Sequence, residues 1–361
     1  MSRMVSRFGV LGIVITVAGI LFASYCIATT PDDLLGADIV PSYTPASEHE
    51  QVGYTLPEGR SAEDIGEDLE ALGVVRSGAQ FEFLVSLMGM QSQLGSGDYL
   101  LRTNSSVVTV ISELTVREAV PVLKVTFPEG IRIEEMAIIA EEAGFGTRDQ
   151  YMAATLTAEL PQGFAETRPA GASLEGYLFP DTYIMPVGST MEELIAYQLR
   201  VLVQRFTPEL RSAAAEQGLN PHEALTLASI VEREAVLAEE RPRIAGVFYN
   251  RLEEEALLQA DPTVQYAVSL VPGSVEQFGY WKEELTQADL QIDSPYNTYK
   301  YPLLPPGPIA NAGLASIEAV AEPEDTDYYY FYANAKADDG SHVFAVTLAE
   351  HEQNIAEYGA P

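Results

Sequence analysis

The chain has 361 residues, 47% of them hydrophobic, enough for more than one domain and a sizeable core. Its 53 acidic against 20 basic side chains leave a net charge of -33. That balance excludes nucleic-acid binding and attachment to anionic lipid through a basic face, since both need basic surface to neutralise phosphate.

The single cysteine, Cys26, excludes an intramolecular disulfide framework. The histidines His49, His222, His342 and His351 are scattered without the spacing of a zinc site. Gly144-Phe-Gly146 lacks the third glycine of a dinucleotide fingerprint and reads as a helix C-cap, so neither metal nor cofactor is expected.

Phe8 to Ala28 form an uncharged apolar run of about 21 residues, about the length that spans a bilayer as a helix. Arg3 and Arg7 precede it and Asp32 and Asp33 follow, so residues 1–7 are expected in the cytoplasm and the rest outside. A cleaved signal peptide is the alternative, but its apolar core is usually only about 7–15 residues. Residues 29–51, with Pro31, Pro41 and Pro45, read as an extended linker.

Two stretches then resemble each other. Tyr54-Thr-Leu-Pro-Glu-Gly59 and Val125-Thr-Phe-Pro-Glu-Gly130 each read as a short strand and turn. Each leads into a helix, with Ile65, Leu69 and Leu72 at helical spacing in one copy and Met136, Ile139, Ala140 and Ala143 in the other. The helices stop at Gly73 and Gly144, which suggests two small α/β modules in tandem. In the first, a helix from Ala79 to Met90, a strand Gly97–Arg102 and a helix from Ser105 to Leu114 follow. The strand–helix–helix–strand order of residues 52–120 resembles the LysM-type modules that hold glycan chains; a plain packing or spacer domain reads as well.

In Ser173-Leu-Glu-Gly-Tyr-Leu-Phe-Pro-Asp-Thr-Tyr183 a single carboxylate, Glu175, sits among Leu174, Tyr177, Leu178 and Phe179. Loss of solvation there raises a carboxyl pKa, which is what a general acid needs near neutral pH. The plainer reading is one more acidic residue facing water.

Met191 to Phe206 is an amphipathic helix. The next begins with Asn220 as N-cap, Pro221 in the first turn and Glu223 reaching back, and runs uncharged from Ala224 to Val231, hence buried. It ends in Glu232-Arg-Glu234, whose carboxylates point to roughly opposite sides, so one must meet a cleft or an arginine such as Arg241, Arg243 or Arg251. Asp261-Pro-Thr263 reads as a helix start with Asp261 as the cap.

Ser294-Pro-Tyr-Asn-Thr-Tyr299 and Leu304-Pro-Pro-Gly-Pro-Ile309 are stiff loops. Tyr296, Asn297 and Tyr299 offer the flat apolar faces and hydrogen-bonding groups that suit a sugar. Tyr328–Ala333 and His342–Thr347 read as strands joined at Asp339-Gly340, before a last helix from Leu348.

These stretches together resemble the endolytic murein transglycosylase, or YceG-like, family. The resemblance rests on Leu174-Glu-Gly-Tyr-Leu-Phe-Pro-Asp-Thr182, Ala228-Ser-Ile-Val-Glu-Arg-Glu234, Val247-Phe-Tyr-Asn-Arg-Leu252, Leu258-Gln-Ala-Asp-Pro-Thr-Val264, Tyr296-Asn-Thr-Tyr299 and Leu304-Pro-Pro-Gly-Pro-Ile309. Ala260 stands where the family usually has Ser or Thr, and Leu303 where it usually has Gly.

The resemblance implies an α+β fold: a transmembrane helix at 8–28, a LysM-like α/β module at 52–120 and a larger α+β catalytic domain at 121–361. It also implies cleavage of the β-1,4 bond between N-acetylmuramic acid and N-acetylglucosamine, leaving 1,6-anhydro ends, with Glu175 as the catalytic residue. Glu232, Asp261, Thr263, Asn297, Tyr296 and Asp181 are the candidates for binding substrate. The implied partners are peptidoglycan strands, the membrane and envelope synthases. A hydrolytic muramidase using a second carboxylate, or a glycan-binding scaffold without activity, are the alternatives.

If residues 8–28 anchor the chain, protease added to intact spheroplasts should digest everything beyond about residue 29. Full protection of the large domain would overturn that topology.

Overall fold

The computed structural model describes residues 51–115, 121–337 and 339–359. The apolar run 8–28 and nearly all of the linker lie outside them; among the described residues no helix is long and apolar enough to cross a membrane.

Strand β1 (Gln51–Leu56) turns Tyr54 and Leu56 inward and leads to helix α1 (Ala62–Ala71). Ser61 caps that helix by accepting from the Asp64 N–H at 3.1 Å, and Ile65 and Leu69 are buried. The chain leaves α1 through Gly73 at φ +67°, the left-handed conformation that glycine adopts without a side-chain clash. Helix α2 (Gly78–Met88), strand β2 (Gly97–Arg102) and helix α3 (Val107–Thr115) follow. β2 pairs antiparallel with β1, Gln51 opposite Arg102 and Leu56 opposite Gly97. Leu69, Phe81, Val85, Val110 and Leu114 close a core of their own. The expected strand–helix–helix–strand order is thus present.

The second copy of the strand–turn–helix pattern is strand β3 (Val122–Thr126), a turn through Gly130 and helix α4 (Ile133–Glu142). Helix α5 (Arg148–Thr157), an irregular stretch carrying the Glu175 motif, and strand β4 (Thr182–Pro186) come next. β4 was not evident in the sequence; it pairs antiparallel with β3, Val122 opposite Pro186 and Thr126 opposite Thr182. The two copies therefore do not share a sheet. They meet where Gly53 lies against Ile184 so closely that a Cβ would sit 2.4 Å from the Ile184 Cβ. Beside it, Lys124 reaches Asp98 at 3.0 Å and Thr55 at 3.1 Å.

Helices α6 (Met191–Arg205), α7 (Pro208–Glu216), α8 (Pro221–Glu234), α9 (Arg241–Glu253), α10 (Asp261–Ser269), α11 (Ser274–Phe278) and α12 (Leu314–Ala321) complete the larger core. α8 is its axis, in contact with α7, α9, α10 and α12. Its cap is as read from sequence: Asn220 Oδ1 accepts from the His222 and Glu223 N–H groups at 2.9 and 3.1 Å, and Glu223 accepts from the Asn220 N–H at 2.9 Å. Every residue from Ala224 to Val231 is buried.

Asp261 is not a cap. Ala260 holds the N-cap position of α10, Asp261 is the first helical residue, and no side chain caps that end. A Ser or Thr at 260, as the resemblance leads one to expect, would accept from the first turn. Leu303 has φ +68°, where glycine has no Cβ to clash. Strands β5 (Tyr330–Ala333) and β6 (His342–Ala345) form an antiparallel hairpin shorter than the sequence suggested, and helix α13 (Leu348–Tyr358) ends the described chain.

α1 and α2 touch backbone to backbone: a Cβ on Gly66 would lie 2.5 Å from the Gly78 carbonyl oxygen. Gly-to-Ala inside a helix ordinarily gains about 0.5–1 kcal/mol. Gly66→Ala should instead lose about 1–3 kcal/mol by overpacking. Chemical denaturation monitored by circular dichroism checks this, and a gain would contradict the helix contact.

Candidate active site

Glu175 lies in a turn closed by the Tyr177 N–H donating to the Leu174 carbonyl at 3.0 Å. The turn needs Gly176, at φ +83°, because a Cβ there would come within 2.3 Å of Pro308. The Pro-rich loop presses against the motif and is in turn pinned to α8. Ser229 accepts from the Ile309 N–H at 3.0 Å, and His222 Nε2 lies 2.9 Å from the Pro306 carbonyl. A carbonyl only accepts, so Nε2 carries the proton. Nδ1 then accepts from the Tyr177 hydroxyl, 2.8 Å away.

Asn311 joins the parts. Its Oδ1 accepts from the Gly176 and Leu178 N–H groups at 3.0 and 3.1 Å. Its Nδ2 donates to the Ile131 carbonyl at 3.1 Å and to Glu175 Oε1 at 2.8 Å. Its backbone bridges to Ile131 and Gly130 at 2.9 and 2.8 Å. Asn311 is fully buried, so each bond is made away from competing water.

Glu175 is 4% exposed. Oε1 receives Asn311 and the Ile133 N–H, at 3.1 Å, from the first turn of α4. Oε2 has the Ile133 N–H only at 3.4 Å, and its nearest cation is Arg132 Nε at 4.0 Å. Burial holds this carboxyl well above the ordinary glutamate range. The Glu134 and Glu135 charges push the same way, while Arg132 and the Ile133 N–H pull back. Since Oε1 is already occupied by two donors, the proton belongs on Oε2. The protonated form is favoured here, with one oxygen fixed by two donors and the other without a short contact.

Around it stand Tyr266, from α10, and Tyr296, with ring centroids 4.7 Å apart. Burial and the neighbouring Glu175 charge raise both phenols. Of the candidate binding residues, only Tyr296 is brought to Glu175.

The others have different work. Glu232 accepts from Arg241 at 3.3 Å, from the Ser316 hydroxyl at 2.7 Å and from the Gly313 N–H at 3.1 Å, so it holds the start of α12. Thr263 is fully buried, bonded to the Ala260 carbonyl at 2.7 Å and the Thr298 hydroxyl at 2.8 Å. Asn297 is fully buried too; its Nδ2 ties down the Leu290 and Ile292 carbonyls at 3.0 and 2.9 Å and its Oδ1 accepts from the Tyr299 N–H. Asp261 is exposed and accepts from the Tyr299 hydroxyl at 2.5 Å, and Asp181 pairs with Arg205 at 3.2 Å. Glu234, on the side of α8 away from Glu232, is half-buried, with its carboxyl pushed up to about 8 by burial and by Asp261.

Asn311, Tyr266 and Arg132 escaped the sequence reading. Asn311 does carry a signal, an amide set among Ile309, Ala310 and Ala312 directly after the Pro-rich motif. A groove of about 940 Å³ between α8 and α9, lined by His222, Tyr249, Asn250, Pro306 and Glu324 among others, does not include Glu175.

These features define an α+β protein with a buried glutamate, Glu175, whose carboxyl is held by Asn311 and the start of α4. Residues 54–357 match the YceG-like family, and the chain belongs to it. It is 34% identical over 319 residues to the endolytic murein transglycosylase of Bacillus subtilis, covering 85% of this chain and 84% of that protein. With the protein of the same name from Streptococcus pneumoniae serotype 2 it shares 32% over 336 residues, 87% of this chain and 59% of the relative. The crystal structure of a yceG-like protein from Listeria monocytogenes matches with a TM-score of 0.55 at 31% identity, over 85% of this chain and 99% of that one.

A raised carboxyl pKa has a stability consequence. Below the ordinary glutamate pKa of about 4.3 both the folded and unfolded chains hold the proton, and stability is full. As pH rises, the unfolded chain releases it first, so the fold loses stability until the raised pKa of Glu175 is passed. Urea unfolding from about pH 4 to 9 should therefore show Glu175→Gln gaining on the wild type as pH increases. Parallel curves would mean that Glu175 is not held protonated.

Proposed function

We propose that this protein is an endolytic lytic transglycosylase, cleaving the β-1,4 bond between N-acetylmuramic acid and N-acetylglucosamine within peptidoglycan strands. The observation that carries this is Glu175: a buried carboxyl in the motif that carries the resemblance, with Oε1 bound by Asn311 and Ile133 and burial favouring its protonated form. The names of the relatives support the substrate class.

The chemistry follows from that oxygen. Oε2–H protonates the glycosidic oxygen as the bond to the anomeric carbon breaks. The carboxylate left behind then takes the proton of the sugar's own C6 hydroxyl, which attacks the anomeric carbon and closes the 1,6-anhydro ring. One carboxyl serves both steps, unlike ordinary glycosidases, which commonly place two carboxylates about 5–9.5 Å apart. Because Glu175 is enclosed in this structure, a glycan strand must displace part of its cover, and Tyr296 and Tyr266 are positioned to become apolar faces for the sugar rings. The reading extends to location: the run 8–28 would anchor the chain in the cytoplasmic membrane with this site outside, near the synthases that make the strands, and the module at 52–120 would hold glycan.

Glu175→Gln should keep the fold and lose at least about 10²–10⁴-fold in rate, the usual worth of general acid–base catalysis. The wild-type rate should fall as pH rises through the raised Glu175 pKa, since the acid must start protonated. Mass analysis of released muropeptides checks both. Anhydro ends are expected, reducing ends would assign hydrolysis, and a folded Glu175→Gln protein of near wild-type rate would refute the assignment.

A further inference from the structure

Arg132 is the residue before the N–H that binds Glu175, and it is 2% exposed. Its guanidinium lies over the Tyr266 ring at 4.4 Å and the Tyr280 ring at 5.4 Å. One terminal nitrogen donates to the Ser269 hydroxyl, the other to Glu134 at 3.2 Å. Nε is buried and makes no hydrogen bond, and it faces Glu175 Oε2 at 4.0 Å. A buried N–H left unpaired costs about 1–3 kcal/mol, so a donor kept idle beside the reacting oxygen requires a reason.

The reason lies in the two forms of Glu175. While Oε2 carries its proton, it has little use for another donor. Once the proton is given away, a buried carboxylate is left with nothing on that oxygen but a long contact from Ile133. A shift of about 1 Å would bring Arg132 Nε within charge-assisted hydrogen-bond range of it. We propose that Arg132 is a positioning residue whose idle Nε–H is reserved for the ionised Glu175, stabilising the carboxylate between the moment it donates a proton and the moment it accepts one. This deepens the reading of Glu175 as acid and then base, and rests on it.

The other charges facing the pair come from several elements. Glu134 and Glu135, in the first turn of α4, oppose ionisation of Glu175. Glu135 is itself occupied, by the Arg132 backbone N–H at 3.0 Å and the Trp281 indole N–H at 3.1 Å. Tyr151 from α5, Tyr266 from α10 and Tyr296 also lie within reach of the Glu175 charge, and burial keeps all three phenols protonated. Arg132 is thus the cation that favours the ionised form.

The test reads Glu175 directly, as the carboxyl band in infrared difference spectra of wild type minus Glu175→Gln across pH, alongside kcat and KM. Arg132→Met should move that titration upward by about 1–3 units, the effect of removing an opposite charge at this range. It should also lower kcat about 10- to 100-fold, the worth of a hydrogen bond to a charged group, with KM little changed. Arg132→Lys, which keeps a cation, should recover most of the titration shift. An unmoved titration in folded Arg132→Met overturns the proposal.

Should Arg132→Met not fold, the wild-type protein supplies a second readout. The Arg132 Nε–H proton resonance should move downfield as Glu175 ionises and stay flat in Glu175→Gln; a flat resonance in both overturns the proposal. Activity retained by Glu175→Gln would instead sink the reading of Glu175 itself, so the two failures are distinguishable.

Discussion

The site depends on one fully buried amide. Asn311 reaches the turn of the Glu175 motif through its oxygen, and the start of α4 and the acid itself through its nitrogen. Those segments are far apart in the chain and none is regular where it meets the others. Irregular backbone in a core leaves polar groups that must find partners, and each one left without costs about 1–3 kcal/mol. One side chain with both donors and an acceptor satisfies several at once and fixes their spacing. The His222–Tyr177 link and the Ser229 bond to the Pro-rich loop do the same from α8.

On that frame sits a group whose charge the fold opposes. Burial and two acidic neighbours oppose the charge of Glu175, while Arg132 and the start of α4 favour it. The balance favours the protonated form, with Arg132 and the α4 N–H pulling the other way. Such a balance suits a group that must both give and take a proton. Glu232, three residues beyond Ser229 on α8, shows the contrast: with an arginine, a hydroxyl and a backbone N–H around it, it is a satisfied structural carboxylate.

Much of this was legible in local pattern. The paired strand–turn–helix segments, the Asn220 cap, the uncharged α8 and the acid in its apolar motif follow from periodicity, capping chemistry and composition. Two departures from the family pattern acquired a meaning only in three dimensions, Ala260 as an uncapped N-cap and Leu303 as a left-handed residue. Asn297, in a stiff loop, and Thr263, at a helix start, were expected to face substrate as part of the family resemblance. Their surroundings use up those hydrogen-bonding groups in holding the loops themselves.

By itself, then, the sequence determined which carboxyl lies in an apolar motif and which helix is buried, because both are written in stretches of adjacent residues where hydropathy and capping act locally. Tertiary structure alone decided what surrounds that acid. Arg132, Tyr266 and Asn311 are separated from Glu175 by tens of residues or more, and their approach depends on how α4, α10 and the Pro-rich loop pack. Hydrogen-bond partners and desolvation are properties of that packing, and no local pattern encodes them.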